Sequence, residues 1–306
     1  MEKNISKKKL LSIDDKQIFD RFLSLTPRRL SPYHFANILI WEDIFQIFWH
    51  KIENCLCVFF YNSGGCFMYL PPLGKVNDKV IKACFGVMDD YNHNKRISRI
   101  ENVEVPMLDL FPPKEFLVRE KPGDYVYNCA DLIGLKGDKF KSKRSVYNYF
   151  IKRFSYKPMD YRDEYKDACL VLCKRWVEAG KTNKKDDFYC YMLGDTLRAQ
   201  TTALEYFFQI GLRGLLVIID GTVAGYTLGY ELNNDMFCIA FEVCERKYKG
   251  IYQFIFREFC RALTGYRYIN CMDDSGLPNL QITKTSYYPV EMILNYVVER
   301  HKHQSI

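Results

Sequence analysis

Two stretches in the last quarter of the chain decide the fold: EVCERKYKGIYQF at residues 242–254 and YINCMDDSGLPNLQITKTSYYP at residues 268–289. The first carries a basic loop that leads into a helix, whose apolar face includes Ile251, Phe254 and Ile255. The second begins as a short apolar strand and continues through a polar turn into another helix. With the strand predicted at residues 236–243, they predict strand, basic loop, helix, strand, polar turn, helix and strand.

A hairpin and a long helix are predicted upstream in the same half of the chain. Asp220 and Gly221 separate two apolar runs, and this pair is a strong signal for a two-residue hairpin turn. Residues 163–180 have the spacing of an amphipathic helix, and Gly180 is predicted to end it. The pattern predicts an α/β (α+β) fold.

Length and composition predict a folded protein of two domains. A chain of 306 residues exceeds the usual size of a single core, and 48% hydrophobic and 16% aromatic residues argue against extended disorder. We expect an N-terminal domain at residues 1–155 and a C-terminal domain at residues 156–306. The net charge of +7 fits a partner such as RNA, a nucleotide-bearing cofactor or an anionic membrane surface. It fits a solvated basic surface equally well.

The twelve cysteines do not have the pattern of a disulfide scaffold or a metal site. No secretory signal follows the charged start of the chain, no Cys-x-x-Cys pair occurs, and only five histidines are present. We therefore expect reduced core thiols in a cytoplasmic protein, and no metal. No apolar stretch approaches the roughly 18 residues that span a bilayer, so a soluble or peripheral protein is expected. The oligomeric state does not follow from the sequence.

A basic and aromatic segment at residues 134–156 joins the two predicted domains. It carries Lys143 and Arg144 among tyrosines and phenylalanines, and residues 145–154 are predicted to be helical. One interpretation is a connecting helix whose charged side chains are solvated. The other is a basic surface beside a cleft, where Lys143 and Arg144 contact phosphates.

The basic loop resembles the phosphate-binding loop of the N-acetyltransferase (GNAT) fold. In that fold a Gln/Arg-x-x-Gly-x-Gly/Ala pattern begins a helix, whose backbone N–H groups and dipole hold a pyrophosphate. The corresponding residues here are Lys247, Lys249, Gly250 and Tyr252, so the resemblance implies a cofactor site at the first three. Tyr252 departs from the pattern because it is bulky where the family has a small residue. The alternative role of Gly250 is a turn before a helix.

A wider set of residues resembles the C-terminal domain of the phosphatidylglycerol lysyltransferases and its stand-alone bacterial relatives. The family shows Ile-Asn-x-Glu-x-Asp-x-Gly, then Leu-Arg and Lys-x-Ser-Tyr-x-Pro, and this chain matches at Ile269, Asn270, Asp274, Gly276, Leu280, Lys284, Ser286, Tyr287 and Pro289. The resemblance implies two tandem GNAT-like domains, each a mixed, mostly antiparallel sheet flanked by helices. It also implies aminoacyl-tRNA as a donor, because the lysyltransferases move an aminoacyl group from tRNA to a lipid hydroxyl.

Three residues depart from that family pattern, and one of them is Cys271, which replaces a common basic residue. Met272 stands where the family usually has Glu, and Gln281 stands where it usually has Arg. A possible general base and a bidentate anion clamp are therefore missing from the matched region. The sequence leaves open whether the charges were lost as a pair, the substrate differs, or the site no longer catalyses.

Four residues are candidates for a catalytic site: Glu242, Asn270, Asp274 and Tyr287. A carboxylate at Glu242 would take a proton from an attacking amine or hydroxyl, and its alternative role is an ion pair with a lysine of the basic loop. For Asn270 and Asp274 the alternative is capping of the following turn and helix. For Tyr287 the alternatives are donation to a leaving group and packing against Pro289.

Three functions are compatible with the sequence. The first is an acyltransferase that uses aminoacyl-tRNA and an amine or hydroxyl acceptor, with tRNA or other phosphates bound by basic residues: Lys143, Arg144, Lys247, Lys249 and Lys284. The second is an N-acetyltransferase that uses acetyl-coenzyme A. The third is a non-catalytic binding protein that kept the fold. The acceptor is a small molecule, a peptide or a lipid, and the sequence does not decide among them.

Overall fold

The computed structural model describes residues 8–183 and 186–301. Within them the chain forms two compact units, which we call unit 1 (residues 8–124 and 293–301) and unit 2 (residues 125–292). The boundary that the sequence predicts near residue 155 falls inside unit 2. The division into domains at that residue stays a prediction.

The described residues form twelve strands and nine α-helices, numbered here in chain order. The strands are β1 Lys9–Leu10, β2 Gln46–Ile52, β3 Cys55–Asn62, β4 Gly65–Met68, β5 Arg99–Val103, β6 Phe116–Asn128, β7 Lys157–Asp160, β8 Arg213–Ile219, β9 Thr222–Asn233, β10 Met236–Cys244, β11 Tyr268–Asn270 and β12 Glu291–Arg300. The helices are α1 Lys16–Leu23, α2 Phe35–Leu39, α3 Asp78–Tyr91, α4 Cys129–Gly134, α5 Lys141–Arg153, α6 Lys166–Asn183, α7 Asp187–Glu205, α8 Ile251–Ala262 and α9 Pro278–Thr285.

Unit 1 is a mixed sheet with a helix packed on it. Strands β1 to β4 are antiparallel, β4 runs parallel to β5, and β5 is antiparallel to β12. Helix α3 begins after Asn77, whose side chain accepts a hydrogen bond from the backbone N–H of Val80. Its buried residues recur at helical spacing and join the core of this unit: Val80, Ile81, Cys84, Phe85 and Met88.

Unit 2 holds the elements that the two deciding stretches predict. Strands β7 to β10 are antiparallel, β10 runs parallel to β11, and β11 is antiparallel to the end of β6. The predicted hairpin is confirmed, because Asp220 and Gly221 connect β8 to β9 with φ angles of 50° and 73°. Two positive φ angles are what a type I′ turn requires. The predicted order from β10 through α8, β11 and α9 to β12 is also confirmed.

Helix α8 supplies much of the core of unit 2. Its apolar face is buried at Ile251, Phe254 and Ile255, as the helical spacing predicts. Helix α5 packs against it, and the ring centre of Phe254 lies 4.7 Å from that of Phe150 and 5.7 Å from that of Tyr147. Aromatic pairs at such distances add to the stabilisation from buried area.

The prediction that Gly180 ends a helix is wrong. Helix α6 continues through Gly180 to Asn183. A Cβ atom at Gly180 would lie 2.8 Å from Leu193 Cδ1 of α7, closer than real Cβ contacts allow. The glycine therefore lies within the helix, beside Leu193 of α7, and does not act as a stop signal.

Three general features bear on the expected class of protein. Ten of the twelve cysteines are buried, and all twelve are free thiols. No helix in residues 8–183 and 186–301 is long and apolar enough to cross a membrane. Over the same residues, no group of three or more His, Cys, Asp and Glu side chains has the arrangement of a metal site.

Candidate functional site

A cavity of unit 2 lies where two parallel strands stop pairing. Strands β10 and β11 pair over three residues, from Met236 opposite Tyr268 to Cys238 opposite Asn270. Beyond Cys238 the pairing ends, and residues 239–243 of β10 line a cavity of about 610 Å³. A cavity of this volume is within the usual range for small-molecule sites.

The cavity is lined mostly by aromatic and aliphatic side chains, with polar groups among them. Helices α6 and α7 contribute Trp176, Tyr189, Met192, Leu193, Thr196 and Gln200. Of the ten residues predicted for the site, Glu242, Lys284 and Tyr287 line it. The other seven do not: Lys143, Arg144, Lys247, Lys249, Gly250, Asn270 and Asp274.

Glu242 is the acidic residue of the lining. The residue as a whole is half-buried, but its Oε2 atom is shielded from solvent and has no hydrogen-bond partner among the described residues. Burial raises the pKa of its carboxyl from 4.5 to about 8, because a buried carboxylate loses its hydration. A carboxyl of this kind, in a cavity and with a pKa near neutrality, is a candidate proton-transfer group.

The lysines of the basic loop do not neutralise Glu242. Both are exposed, and no ion pair with Glu242 is found in the described part of the chain. Lys247 Nζ lies 5.0 Å from the ring centre of Tyr248, and Lys249 Nζ lies 5.2 Å from that of Tyr149. The ion-pair role that the sequence offered for Glu242 is therefore not the arrangement observed.

Tyr252 and Trp176 form a wall of the cavity that the sequence did not predict. The Tyr252 hydroxyl donates to the carbonyl oxygen of Cys244 at 3.2 Å and accepts from Trp176 Nε1 at 2.9 Å. Burial raises the pKa of Tyr252 to about 12. The bulky residue at this position, noted in the sequence as a departure, thus connects α8 to α6 and to the end of β10.

Tyr287 lies on the same cavity and packs by its ring. Its ring centre is 5.0 Å from that of Phe256 in an edge-to-face arrangement, and Lys143 Nζ lies 4.3 Å from the ring centre on another side. Burial, and after it the negative charge of Glu242, raises the pKa of the Tyr287 hydroxyl. The phenol therefore stays protonated at neutral pH and can act only as a hydrogen-bond donor or acceptor.

Asn270 and Asp274 hold the turn that follows β11. Asn270 Oδ1 accepts from the backbone N–H of Met272 at 2.7 Å. Asp274 Oδ1 accepts from the N–H of Gly276 at 2.9 Å, and its Oδ2 accepts from the Tyr125 hydroxyl at 2.7 Å. Both side chains are buried and bonded within the turn, in the manner of Asx turns. They cap the turn itself, because α9 has no side-chain cap.

The Lys284 ammonium group is enclosed by backbone carbonyl oxygens. Its Nζ donates to the carbonyls of Cys271, Met272 and Asp273, at 3.2 Å for Met272 and 2.6 Å for Asp273. A lysine ammonium has three hydrogens, so all of them have acceptors here. The phosphate-binding role predicted for Lys284 is therefore not supported, and the residue joins α9 to the turn after β11.

Replacing Lys284 by methionine is expected to lower the free energy of unfolding by about 2–3 kcal/mol, because three partly buried carbonyl groups lose a charged donor. The measurement is urea unfolding monitored by circular dichroism. Lys174→Met, at an exposed position on α6, is the matched control and should change stability by less than about 0.5 kcal/mol. Equal stability of the two variants would contradict the structural role of Lys284.

Lys143 and Arg144 are engaged inside unit 2. Lys143 Nζ donates to the Ser286 hydroxyl at 2.6 Å, and burial lowers the pKa of its ammonium group. Arg144 Nη1 donates to the carbonyls of Leu135 and Gly137, the latter at 2.6 Å. These contacts connect α5 to neighbouring loops, so neither residue is presented as a solvated phosphate ligand.

Gly250 makes room for α5. Its φ angle is 95°, and a Cβ atom there would lie 2.6 Å from the carbonyl oxygen of Val146 and 3.0 Å from Phe150 Cβ. The close approach that this glycine permits is between α5 and the start of α8. The geometry therefore agrees with the alternative role, a turn before a helix.

Comparison with known proteins identifies the family of the chain. Residues 23–299 match the family described as phosphatidylglycerol lysyltransferase, C-terminal. The chain belongs to this family. It is also 26% identical, over 200 residues and 60% of its length, to an uncharacterised protein of Mycoplasmoides gallisepticum, and the match spans 58% of that relative's length.

Solved structures of this family and of related proteins share the fold. A conserved protein of unknown function from Bacteroides thetaiotaomicron is 25% identical, with a TM-score of 0.85 and coverage of 96% of this chain and 99% of that chain. L-PGS from Bacillus licheniformis is 15% identical, with a TM-score of 0.64 and coverage of 95% and 93%. A tandem GNAT protein from the clavulanic acid biosynthesis pathway is 11% identical, with a TM-score of 0.50 and coverage of 97% and 98%. The predicted tandem GNAT fold is thereby confirmed.

Two of the three departures from the lysyltransferase family pattern, Met272 and Gln281, lie outside the cavity lining, and the third, Cys271, is part of it. Met272 has a φ angle of 60°, and its carbonyl oxygen accepts from the N–H of Tyr125 at 3.1 Å and from Lys284. Gln281 is exposed on α9. Neither residue lines the cavity.

Proposed function

We propose that the chain is an acyltransferase that moves an aminoacyl group from aminoacyl-tRNA to an amine or hydroxyl acceptor. The observation that carries this proposal is the Glu242 carboxyl, which lines the cavity and has a shielded oxygen with no hydrogen-bond partner in the described part of the chain. A proton-transfer group works best when its pKa lies near the working pH, and burial moves the pKa of Glu242 to about 8. Membership of the lysyltransferase family supports the donor.

The reaction is a nucleophilic substitution at the ester carbonyl of the donor. The acceptor nitrogen or oxygen attacks the carbonyl carbon, a C–N or C–O bond forms, and the ester bond to the terminal ribose breaks. Glu242 accepts the proton that the nucleophile loses and passes it to the departing ribose oxygen, which leaves as a hydroxyl. Backbone N–H groups of the β10 segment that no longer pairs with β11 would stabilise the oxyanion.

Positive charge beside the cavity suits the donor. Arg246 lines the cavity, and the exposed Lys247 and Lys249 follow in the same loop. Exposed basic residues attract the phosphates of a nucleic acid, and the attraction weakens as salt is added. The reaction would take place in the cytoplasm, where aminoacyl-tRNA is made.

The test is transfer of radiolabelled amino acids from a pool of aminoacylated tRNA to lipid, small-amine and peptide fractions. Glu242→Gln is expected to lower the rate by about 10²–10⁴-fold, because the carboxyl can no longer accept a proton. Glu245→Gln is the control, since Glu245 pairs with Arg175 at 2.6 Å and does not line the cavity. A Glu242→Gln rate equal to that of the wild type would contradict the role of Glu242. Transfer from acetyl-coenzyme A and not from aminoacyl-tRNA would identify acetyl-coenzyme A as the donor. No transfer from either compound would indicate a binding protein.

A further inference from the structure

The charged groups of the cavity leave one acid without a counter-charge. The charged lining residues are Glu242, Arg246 and Lys284. The Lys284 ammonium is enclosed by three carbonyls, and no ion pair of Glu242 is found within the described residues. An ionised carboxylate shielded from water costs several kcal/mol unless a cation compensates it. A ligand that brings a cation to Glu242 would supply the missing partner.

The walls near Glu242 are also suited to a cation. Trp176, Tyr252 and Tyr287 line the same cavity, and the electron-rich faces of such rings attract ammonium groups. The charge of Glu242 contributes to the raised pKa values of both tyrosines, which shows that they lie within its electrostatic reach. A hydroxyl ligand would gain only a neutral hydrogen bond in this setting.

We propose that the cavity binds an aliphatic primary ammonium group through Glu242, and that this amine is the acceptor. The statement that this amine is the acceptor rests on the proposed function. In the reaction the ammonium gives one proton to the Glu242 carboxylate, and the neutral amine attacks the ester carbonyl carbon. The C–N bond of an amide forms, the ester C–O bond breaks, and the ribose oxygen takes the second proton of the nitrogen. At neutral pH the resting proton of Glu242 leaves to solvent when the ammonium binds, and the reaction returns Glu242 to its protonated state, so the balance is one proton released per amide.

The first test is calorimetric titration with n-pentylamine and with 1-pentanol at pH 7, a pair with equal chain length. Pentylamine is expected to bind at least about tenfold more tightly than pentanol, because only the amine forms a charge-assisted pair with Glu242. Glu242→Gln should remove that difference, and Glu245→Gln should keep it. Equal affinity for the two ligands, no binding of pentylamine, or an undiminished difference in Glu242→Gln would overturn the proposal.

The second test uses the wild-type protein and does not depend on the folding of a variant. At pH 6.5 Glu242 starts protonated, so binding of an ammonium should release about one proton, measured in buffers of different ionisation enthalpy. The other titratable groups coupled to Glu242 stay protonated there, since burial raises their pKa: Cys244, Tyr252, Cys260 and Tyr287. Arg246 and Lys284 are the cations of the lining. Pentylamine binding without proton release would overturn the proposal.

These titrations contain no donor, so their outcome is separate from that of the transfer assay. Pentylamine binding through Glu242 with no transfer would overturn the proposed reaction and leave the ammonium site in place. Transfer to alcohols without amine binding would overturn the ammonium site and keep the reaction. When aminoacyl-tRNA and pentylamine are both present, formation of the N-pentyl amide of the amino acid identifies the amine as the acceptor. If pentylamine instead inhibits transfer in competition with aminoacyl-tRNA and no N-pentyl amide forms, the ammonium site belongs to the donor. That result would overturn the proposal that the amine is the acceptor.

Discussion

Replacing Glu242 by glutamine is expected to raise the free energy of unfolding by about 2–4 kcal/mol at pH 9, and by much less at pH 5. Glutamine has nearly the same shape and is never ionised, so the difference between the two pH values isolates the cost of the buried charge. The measurement is urea unfolding of both proteins across the pH range, with the linear extrapolation applied at each pH.

The sign of this effect follows from the raised pKa. Between the ordinary value of 4.5 and the folded value of about 8, the folded protein holds a proton that the unfolded chain has lost. The free energy of unfolding therefore falls as pH rises through this window, and it is independent of Glu242 outside it. At about 1.4 kcal/mol per pH unit the whole window corresponds to about 5 kcal/mol. Screening by solvent, because the residue is half-exposed, lowers this to about 2–4 kcal/mol.

Glu164→Gln is the matched control for this experiment. The Glu164 side chain is 60% exposed and lies 3.7 Å from Arg162, so its charge is hydrated in the folded protein. This variant should follow the pH dependence of the wild type. A Glu242→Gln variant that also follows the wild type would mean that the folded protein solvates the Glu242 carboxylate.

Replacing Gly250 by alanine is expected to lower the free energy of unfolding by about 3 kcal/mol. An L-residue at a φ angle of 95° carries a strain of about 1–2 kcal/mol, and forcing a methyl group into a packed site costs about as much again. The new Cβ would meet the Val146 carbonyl oxygen, which is backbone and cannot rotate away. Thermal and urea unfolding measure the loss.

Gly194→Ala is the control, with the opposite sign expected. Gly194 lies inside α7, has no positive φ angle, and a Cβ there would meet nothing within 4 Å. Alanine should stabilise that helix by about 0.5–1 kcal/mol. An unchanged stability for Gly250→Ala would show that α5 and the start of α8 can separate without cost. Because this change acts on packing, loss of cofactor binding in a Gly250 variant would not identify a phosphate site.

Patterns among residues that are close in the sequence were sufficient to predict the fold of the second half of the chain. The hairpin at Asp220 and Gly221 and the order from β10 to β12 follow from periodicity and turn chemistry, which act over a few residues. Motif spacing was sufficient for the family as well. Local pattern failed at Gly180, where α6 continues to Asn183 and lies beside Leu193 of the next helix.

For the predicted site residues, the sequence could not assign the bonding partners. A basic side chain can bind either a phosphate or backbone carbonyl groups, and the local sequence does not distinguish these partners. Lys284 meets carbonyls of residues 271–273, and Arg144 meets those of Leu135 and Gly137. Asn270 and Asp274 are likewise used within their own turn.

The sequence by itself therefore determined the element order of unit 2, the family and the choice of Glu242 as a candidate. Only the tertiary structure decided that Glu242 Oε2 is shielded from solvent with no hydrogen-bond partner among the described residues, that Trp176 of α6 contacts Tyr252 of α8, and that the loop lysines are exposed. The physical reason is that periodicity and turns depend on adjacent residues. The hydration of a carboxyl depends on every group packed around it, and those groups come from residues far apart in the chain.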